Sequence, residues 1–156
     1  MSNANANIAI IGGGIVGATA AYYLTRAGVP VTLYDHGQGQ ATKAAAGIIC
    51  PWLSKRRNKT WYRLAAAGAD FYPEFMADLT SDGYPSHDIF QVSGAMILRA
   101  KDKDLARDLE QAQIKRVETP LIGQVESLTH TEVHERFPLI ESNLSATYVS
   151  GGGRLN

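Results

Sequence analysis

The chain has 156 residues, 45% hydrophobic and 19% charged, with 15 Lys and Arg against 15 Asp and Glu. Balanced charge argues against a nucleic-acid or anionic-membrane partner, and no stretch is long and apolar enough for an integral membrane segment. The single Cys50 excludes an internal disulfide framework and suits a reducing, cytoplasmic setting.

Residues 8–11, Ile-Ala-Ile-Ile, read as a short strand buried on both faces. The glycines that follow break the apolar run, and no basic segment precedes it, so it is not a signal peptide. Gly12-x-Gly14-x-x-Gly17 opens an Ala-rich helix with Ala20, Tyr23, Leu24 and Ala27 on one side. Gly28 stops that helix and Pro30 prevents its restart. A second strand, residues 31–34, ends on Asp35.

Each part of this stretch has a physical use. Gly12 permits a tight turn, Gly14 lets backbone N–H groups approach a pyrophosphate, and Gly17 lets helix and strand pack closely. The helix start offers free N–H donors and the positive end of its dipole. Asp35 lies 35 − 12 = 23 positions after Gly12, where a carboxylate accepts hydrogen bonds from ribose hydroxyls and repels a 2′-phosphate. Strand, glycines, helix, second strand and terminal acid together predict an adenine dinucleotide site other than NADP. No Gly-Lys-Ser/Thr follows the glycines, which excludes a P-loop.

Residues 36–47 form a Gly-punctuated loop and then a run of very small side chains, ending Ala44-Ala45-Ala46-Gly47. Such residues let backbone approach something large and flat, or pack as a short tight helix. Lys55-Arg56-Arg57-Asn58-Lys59 is the only basic cluster and reads as a solvated loop or helix start. Residues 61–79 have helical spacing, with Pro73 as a kink or break. Residues 90–99 read as a strand or a hairpin pivoting on Gly94, and residues 101–116 as an amphipathic helix. Thr129-x-x-Glu132 is a capping box opening a short helix that stops at Phe137-Pro138. Residues 125–128 and 146–150 are extended. These later strands suggest a second, mixed or antiparallel sheet, because none continues a doubly wound parallel one.

Other chemistries fail on spacing. His130 and His134 are four apart, but a zincin needs its Glu directly after the first His, and Glu132 is one place late. Cys50 has no paired base nearby in sequence, and Ser93-Gly94 lacks a nucleophile elbow.

Residues 8–35, the segment Gly39-Gln40-Ala41-Thr42-Lys43-Ala44-Ala45-Ala46-Gly47-Ile48-Ile49-Cys50-Pro51 and, more loosely, the strand around Gly94, the helix after it, residues 128–138 and the closing Gly-Gly-Gly-Arg-Leu-Asn resemble the FAD-dependent D-amino acid oxidase superfamily. That superfamily includes glycine oxidase, sarcosine oxidase and the small subunit of D-amino acid dehydrogenase. The resemblance spans nearly the whole chain but only the N-terminal part of a family member. It implies an α/β fold of the FAD/NAD(P)-binding type. A Rossmann-like FAD-binding portion would occupy residues 6–82, the first part of a mixed-sheet substrate-binding domain residues 83–150, and a return to the FAD domain residues 151–156.

By the same resemblance Gly12, Gly14 and Gly17 hold the FAD pyrophosphate, Asp35 the adenosine ribose, and Thr42 the phosphates. Ala46, Gly47 and Ile48 approach the flavin, with Ile15, Val16 and His36 as further cofactor contacts. The implied partner is a small-molecule amine or amino acid. Its α-carbon gives a hydride to flavin N5, and the imine then hydrolyses to an oxo acid and ammonia. Family members carry the substrate-carboxylate arginine in their C-terminal half, so no residue here inherits it, and the chain alone is expected to be catalytically inactive. Two alternatives stay open: a non-catalytic NAD- or nucleotide-binding module, and a remnant that forms a homo-oligomer through unpaired sheet edges.

Overall fold

The computed structural model describes residues 7–140 and 143–156. The chain divides into two compact units at the Ala46–Gly47 bond.

The first unit contains β1 (Ile8–Ile11), α1 (Ile15–Arg26), β2 (Val31–Tyr34) and α2 (Ala41–Ala44). β1 and β2 pair in parallel, from Ile8 opposite Val31 to Ile11 opposite Tyr34. α1 ends at Arg26, and Gly28 takes φ 77°, a conformation that a side chain would oppose. The Val29 N–H then bonds back to the Leu24 carbonyl at 2.9 Å, satisfying an acceptor of the last turn. This is the Rossmann-like start expected from the periodicity. Of the small-residue run only Ala41–Ala44 is helical, as α2, and none of its residues is buried, so it is not the tightly packed helix the sequence allowed.

The second unit contains β3 (Ile48–Ile49), α3 (Lys59–Ser81), β4 (Phe90–Val92), β5 (Ala95–Arg99), α4 (Asp102–Glu118), β6 (Val125–Leu128), α5 (His130–Arg136), β7 (Ser145–Val149) and β8 (Gly153–Leu155). Its strands make two three-stranded antiparallel sheets, in the orders β3-β8-β4 and β5-β7-β6. The fold is therefore α/β, with a parallel start and antiparallel sheets after it.

Residues 90–99 are not a hairpin. β4 and β5 lie in different sheets, and Gly94 stands between them at φ 76°. The Ser93 and Gly94 N–H groups both donate to the Gly152 carbonyl, at 3.0 and 2.8 Å. A β-carbon on Gly94 would run into the Tyr148 phenol ring, so the position needs glycine for space as well as for φ.

α3 starts at Lys59, where the Asn58 side chain accepts from the Trp61 N–H at 2.9 Å, and it continues through Pro73 to Ser81. α4 carries Asp102 and Asp104 in its first turn and Lys115 and Arg116 in its last, which complements the helix dipole. Its inner face packs Ala112 with Trp52, Ala69, Ile122 and Val149 in one core cluster. A second cluster, Leu128, Val133 and Ala146, lies under α5. Lys115 Nζ donates to the carbonyls of Trp52 at 2.6 Å and Ser54 at 3.3 Å, tying the 3-10 turn Pro51–Leu53 to α4. Burial holds the Lys115 ammonium below its ordinary pKa.

The capping box of α5 is formed. Thr129 Oγ1 accepts the Glu132 N–H, and the Glu132 carboxylate accepts the Thr129 N–H at 2.8 Å. That backbone donor is the first cause holding the Glu132 carboxyl below its usual range.

Candidate dinucleotide site

The site is built at the N-terminus of α1. Gly12 turns the chain at φ 101°, and its N–H donates to the Tyr34 carbonyl at 2.8 Å, locking the turn to the end of β2. Gly14 is the residue before the helix, with extended backbone and no side chain that could cap it. A β-carbon on Gly17 would collide with the Gly12 carbonyl and stand 3.2 Å from Ile10 Cγ2. The absence of that carbon lets α1 start directly against β1, as expected from the motif.

Two side chains from outside the glycine motif complete the site. Thr42 Oγ1, on α2, accepts the Ile15 N–H at 3.0 Å and supplies the cap that α1 lacks. A β-carbon on Gly14 would stand 3.1 Å from this hydroxyl. Asp35 Oδ2 accepts the Gly13 N–H at 2.5 Å, while Oδ1 accepts the Gly37 N–H at 2.6 Å and the Gln40 amide at 3.0 Å. The Gly13 donor, then Gly37 and Gln40, hold the Asp35 carboxyl below the usual carboxylate range.

Gly12, Gly14, Asp35, His36, Gln40 and Thr42 help to wall a cleft of roughly 670 Å³ within this unit. Ile15 does not wall it but gives its backbone N–H to the lining Thr42, whereas Val16 is 82% exposed and Gly17 serves the packing of α1 on β1. Ala46 is exposed and does not wall the cleft. Gly47 and Ile48 belong to the second unit, where Gly47 takes φ 70° with its carbonyl accepting the Leu155 N–H at 2.8 Å.

Sequence reasoning missed Gly13, Gly37 and Gln40, the three donors to Asp35. The middle glycine of Gly12-Gly13-Gly14 was the available signal, since a β-carbon on Gly13 would sit 3.2 Å from the Asp35 side chain. Cys50 is half-buried, and burial pushes its thiol pKa up, which disfavours the nucleophilic thiolate.

The residues present fit a dinucleotide. The first-turn N–H groups of α1 and the glycine backbone suit a pyrophosphate. The ionised Asp35 carboxylate keeps acceptor capacity on Oδ2 for a ribose hydroxyl.

Known proteins resemble the chain over nearly all of its length. The family model described as FAD dependent oxidoreductase, the DAO family, matches residues 7–156. A Bacillus subtilis (strain 168) protein, named as the uncharacterized oxidoreductase YurR, is 39% identical over 148 residues, covering 94% of this chain and 40% of the relative. The crystal structure of iminodiacetate oxidase (IdaA) from Chelativorans sp. BNC1 superposes with a TM-score of 0.88 at 33% identity, covering 95% of this chain and 40% of that one. Glycine oxidase from Geobacillus kaustophilus superposes with a TM-score of 0.72 at 26% identity over the same shares. The chain thus spans about two fifths of the length of these relatives. With the family model matched over residues 7–156, the chain belongs to the FAD-dependent oxidoreductases of the D-amino acid oxidase type.

Proposed function

We propose that the cleft at the start of α1 holds the adenosine and pyrophosphate part of FAD. Gly12, Gly14 and the N–H groups of Ile15 and Val16 would receive the phosphates, with Thr42 beside them. Asp35 would take the ribose, and Gly17 would keep α1 close behind. His36 stands at the cleft wall. Ala46, Gly47 and Ile48 are proposed as flavin contacts on the strength of the resemblance. The carrying observation is the reach of Thr42 across 27 residues to the bare start of α1, beside an ionised Asp35 in the same cleft.

The proposed reaction is oxidation of the C–N bond of an amino acid or secondary amine. Bound FAD would supply the two-electron acceptor, and the protein's part would be to bind and orient the amine and exclude water. Similarity to an iminodiacetate oxidase and a glycine oxidase supports amines that carry carboxylates. We further propose that residues 6–82 serve the FAD-binding part of the whole protein, residues 83–150 begin the substrate-binding part, and residues 151–156 lead back towards the former. By itself the 156-residue chain is proposed to be inactive. No helix among the described residues is long and apolar enough to cross a membrane. The lone Cys50 supports a cytoplasmic setting.

The test is the visible absorbance spectrum of the purified chain before and after incubation with FAD and desalting. Retained flavin bands are the expected result. Retention of NADH with no retention of flavin would overturn the reading and revive a non-catalytic nucleotide-binding module.

A further inference from the structure

The basic run that the sequence reads as a solvated loop lines a cleft of roughly 590 Å³ within the second unit. Lys55, Arg56 and Arg57 come from that run. Arg107, Asp108 and Lys115 come from one flank of α4, where positions 107 and 115 are two helical repeats of four apart. The wall thus gathers five basic side chains and a single carboxylate, in a chain whose 15 Lys and Arg balance 15 Asp and Glu. None of these residues lines the dinucleotide cleft.

The lone carboxylate does not cancel the excess. Asp108 Oδ2 is taken by Arg99 Nε at 2.6 Å, a residue outside the wall, while Oδ1 meets Lys55 at 3.4 Å and Arg107 at 3.9 Å. One negative charge is therefore divided among three cations, and Asp108 acts chiefly to place Lys55 and Arg107. The other contacts also hold basic groups without neutralising them. The Arg56 guanidinium carbon lies 4.8 Å from the centre of the Trp61 ring. Lys115 Nζ bonds only to the Trp52 and Ser54 carbonyls, and these bonds tie the turn before the basic run to α4. The two sides of the cleft are in this way fixed to each other.

A cleft lined by one sign of charge concentrates the field and draws counter-ions into it. Its volume lies within the range of about 300–1,000 Å³ typical of small-ligand sites. Guanidinium groups bind phosphate oxygens in a planar fork, and lysine ammonium groups bind them as point charges. A single carboxylate would offset only a small part of the excess. Linked phosphates bring several acceptor oxygens and more than one negative charge on a compact group.

We propose that this cleft binds a small polyanion through a diphosphate group, with Arg56 and Arg57 meeting the phosphate oxygens and Lys55, Arg107 and Lys115 adding charge around them. The site is separate from the amine oxidation proposed above and does not depend on it.

The experiment is calorimetric titration of the whole chain with inorganic pyrophosphate at low ionic strength, with orthophosphate as the less charged comparison. Arg57→Gln and the double variant Arg56→Gln with Arg57→Gln are compared with the unaltered chain. Arg154→Gln removes an equal charge outside this wall, and Thr42→Val alters the dinucleotide cleft. Circular dichroism checks folding; Arg57 is exposed, so its single variant keeps the test decisive if the double variant unfolds. Pyrophosphate should bind more tightly than orthophosphate, and its affinity should fall as salt is added. Arg57→Gln should weaken it by about tenfold and the double variant by about 100-fold. Arg154→Gln and Thr42→Val should leave it unchanged. Absence of pyrophosphate binding, or equal losses in Arg57→Gln and Arg154→Gln, would overturn the inference. Binding that responds to Thr42→Val and ignores Arg57→Gln would also overturn it, while supporting the phosphate role proposed for the start of α1.

Discussion

Thr42 Oγ1 accepts a hydrogen bond from the Ile15 N–H at 3.0 Å, so a residue 27 positions downstream caps the helix that carries the glycine motif. This joins the glycine-motif stretch to the start of the second stretch that carries the family resemblance, both within the first unit. It also puts a hydroxyl, able to donate as well as accept, where a phosphate oxygen would meet the helix start. Thr42→Val, which removes the hydroxyl but keeps the shape, should cost about 1 kcal/mol of stability. It should weaken FAD binding by roughly tenfold, the equivalent of about 1.4 kcal/mol. Thr42→Ser should retain both. Denaturant midpoints and flavin fluorescence titrations check this, and equal FAD affinity in Thr42→Val and the unaltered chain would exclude the assigned role.

Asp35 makes the site pH-dependent. Its folded pKa lies below the unfolded value because the Gly13 N–H, then the Gly37 N–H and the Gln40 amide, favour the carboxylate. A depressed acid stabilises above its unfolded pKa, near about 3.9, and that contribution disappears as the pH falls through the lower folded value. Asp35→Asn should therefore melt below the unaltered chain at neutral pH, with the gap closing at strongly acid pH. Thermal melts across that range test it. A gap of constant size would mean that the charge on Asp35 is not what holds Gly13 and Gly37.

The local parts of this architecture were readable from the sequence, and the long-range parts were not. β1, α1, β2 and the Thr129–Glu132 capping box follow from periodicity and capping chemistry within a few residues of each other. The place of Asp35 at the end of β2 was legible for the same reason. Its three donors were not, because which N–H groups a carboxylate captures depends on how a loop folds back. The pairing of Ile48 with Arg154, 154 − 48 = 106 positions apart, has no local signature, since sheet register is set by tertiary packing. Gly94 marked a change of direction, but only the Tyr148 ring shows that it separates two sheets.

Two glycines in the second unit should respond to alanine in opposite directions. Gly47 takes φ 70°, and a β-carbon there would run into the Leu155 backbone, the strand that Gly47 itself pairs with. Gly47→Ala should destabilise by at least about 1–2 kcal/mol from the backbone conformation alone. Gly68 lies inside α3, and nothing stands within 4 Å of its β-carbon position. Gly68→Ala should stabilise by roughly 0.5–1 kcal/mol, because alanine loses less backbone freedom on entering a helix. Urea unfolding of both variants decides, and a stabilising Gly47→Ala would contradict the β3–β8 geometry.

Asp108 and Arg99 supply the sharpest stability test. The Asp108 side chain is only 9% exposed and gathers Arg99 at 2.6 Å, Lys55 at 3.4 Å and Arg107 at 3.9 Å. Arg99 is bonded through Nε to Asp108 and through Nη1 to the Leu98 carbonyl, which joins β5 to α4. Removing one member of a buried pair strands the other's charge in a poorly solvated place, whereas replacing both with apolar groups removes the desolvation cost as well. Asp108→Ala should therefore destabilise by about 3 kcal/mol, the low end of the range for buried pairs because Arg99 keeps 19% of its side chain in solvent. The double variant Arg99→Met with Asp108→Leu should recover most of that loss. Equilibrium urea unfolding of the two variants tests the point. If the double variant is as unstable as Asp108→Ala, the loss comes from packing around α4 rather than from the stranded guanidinium.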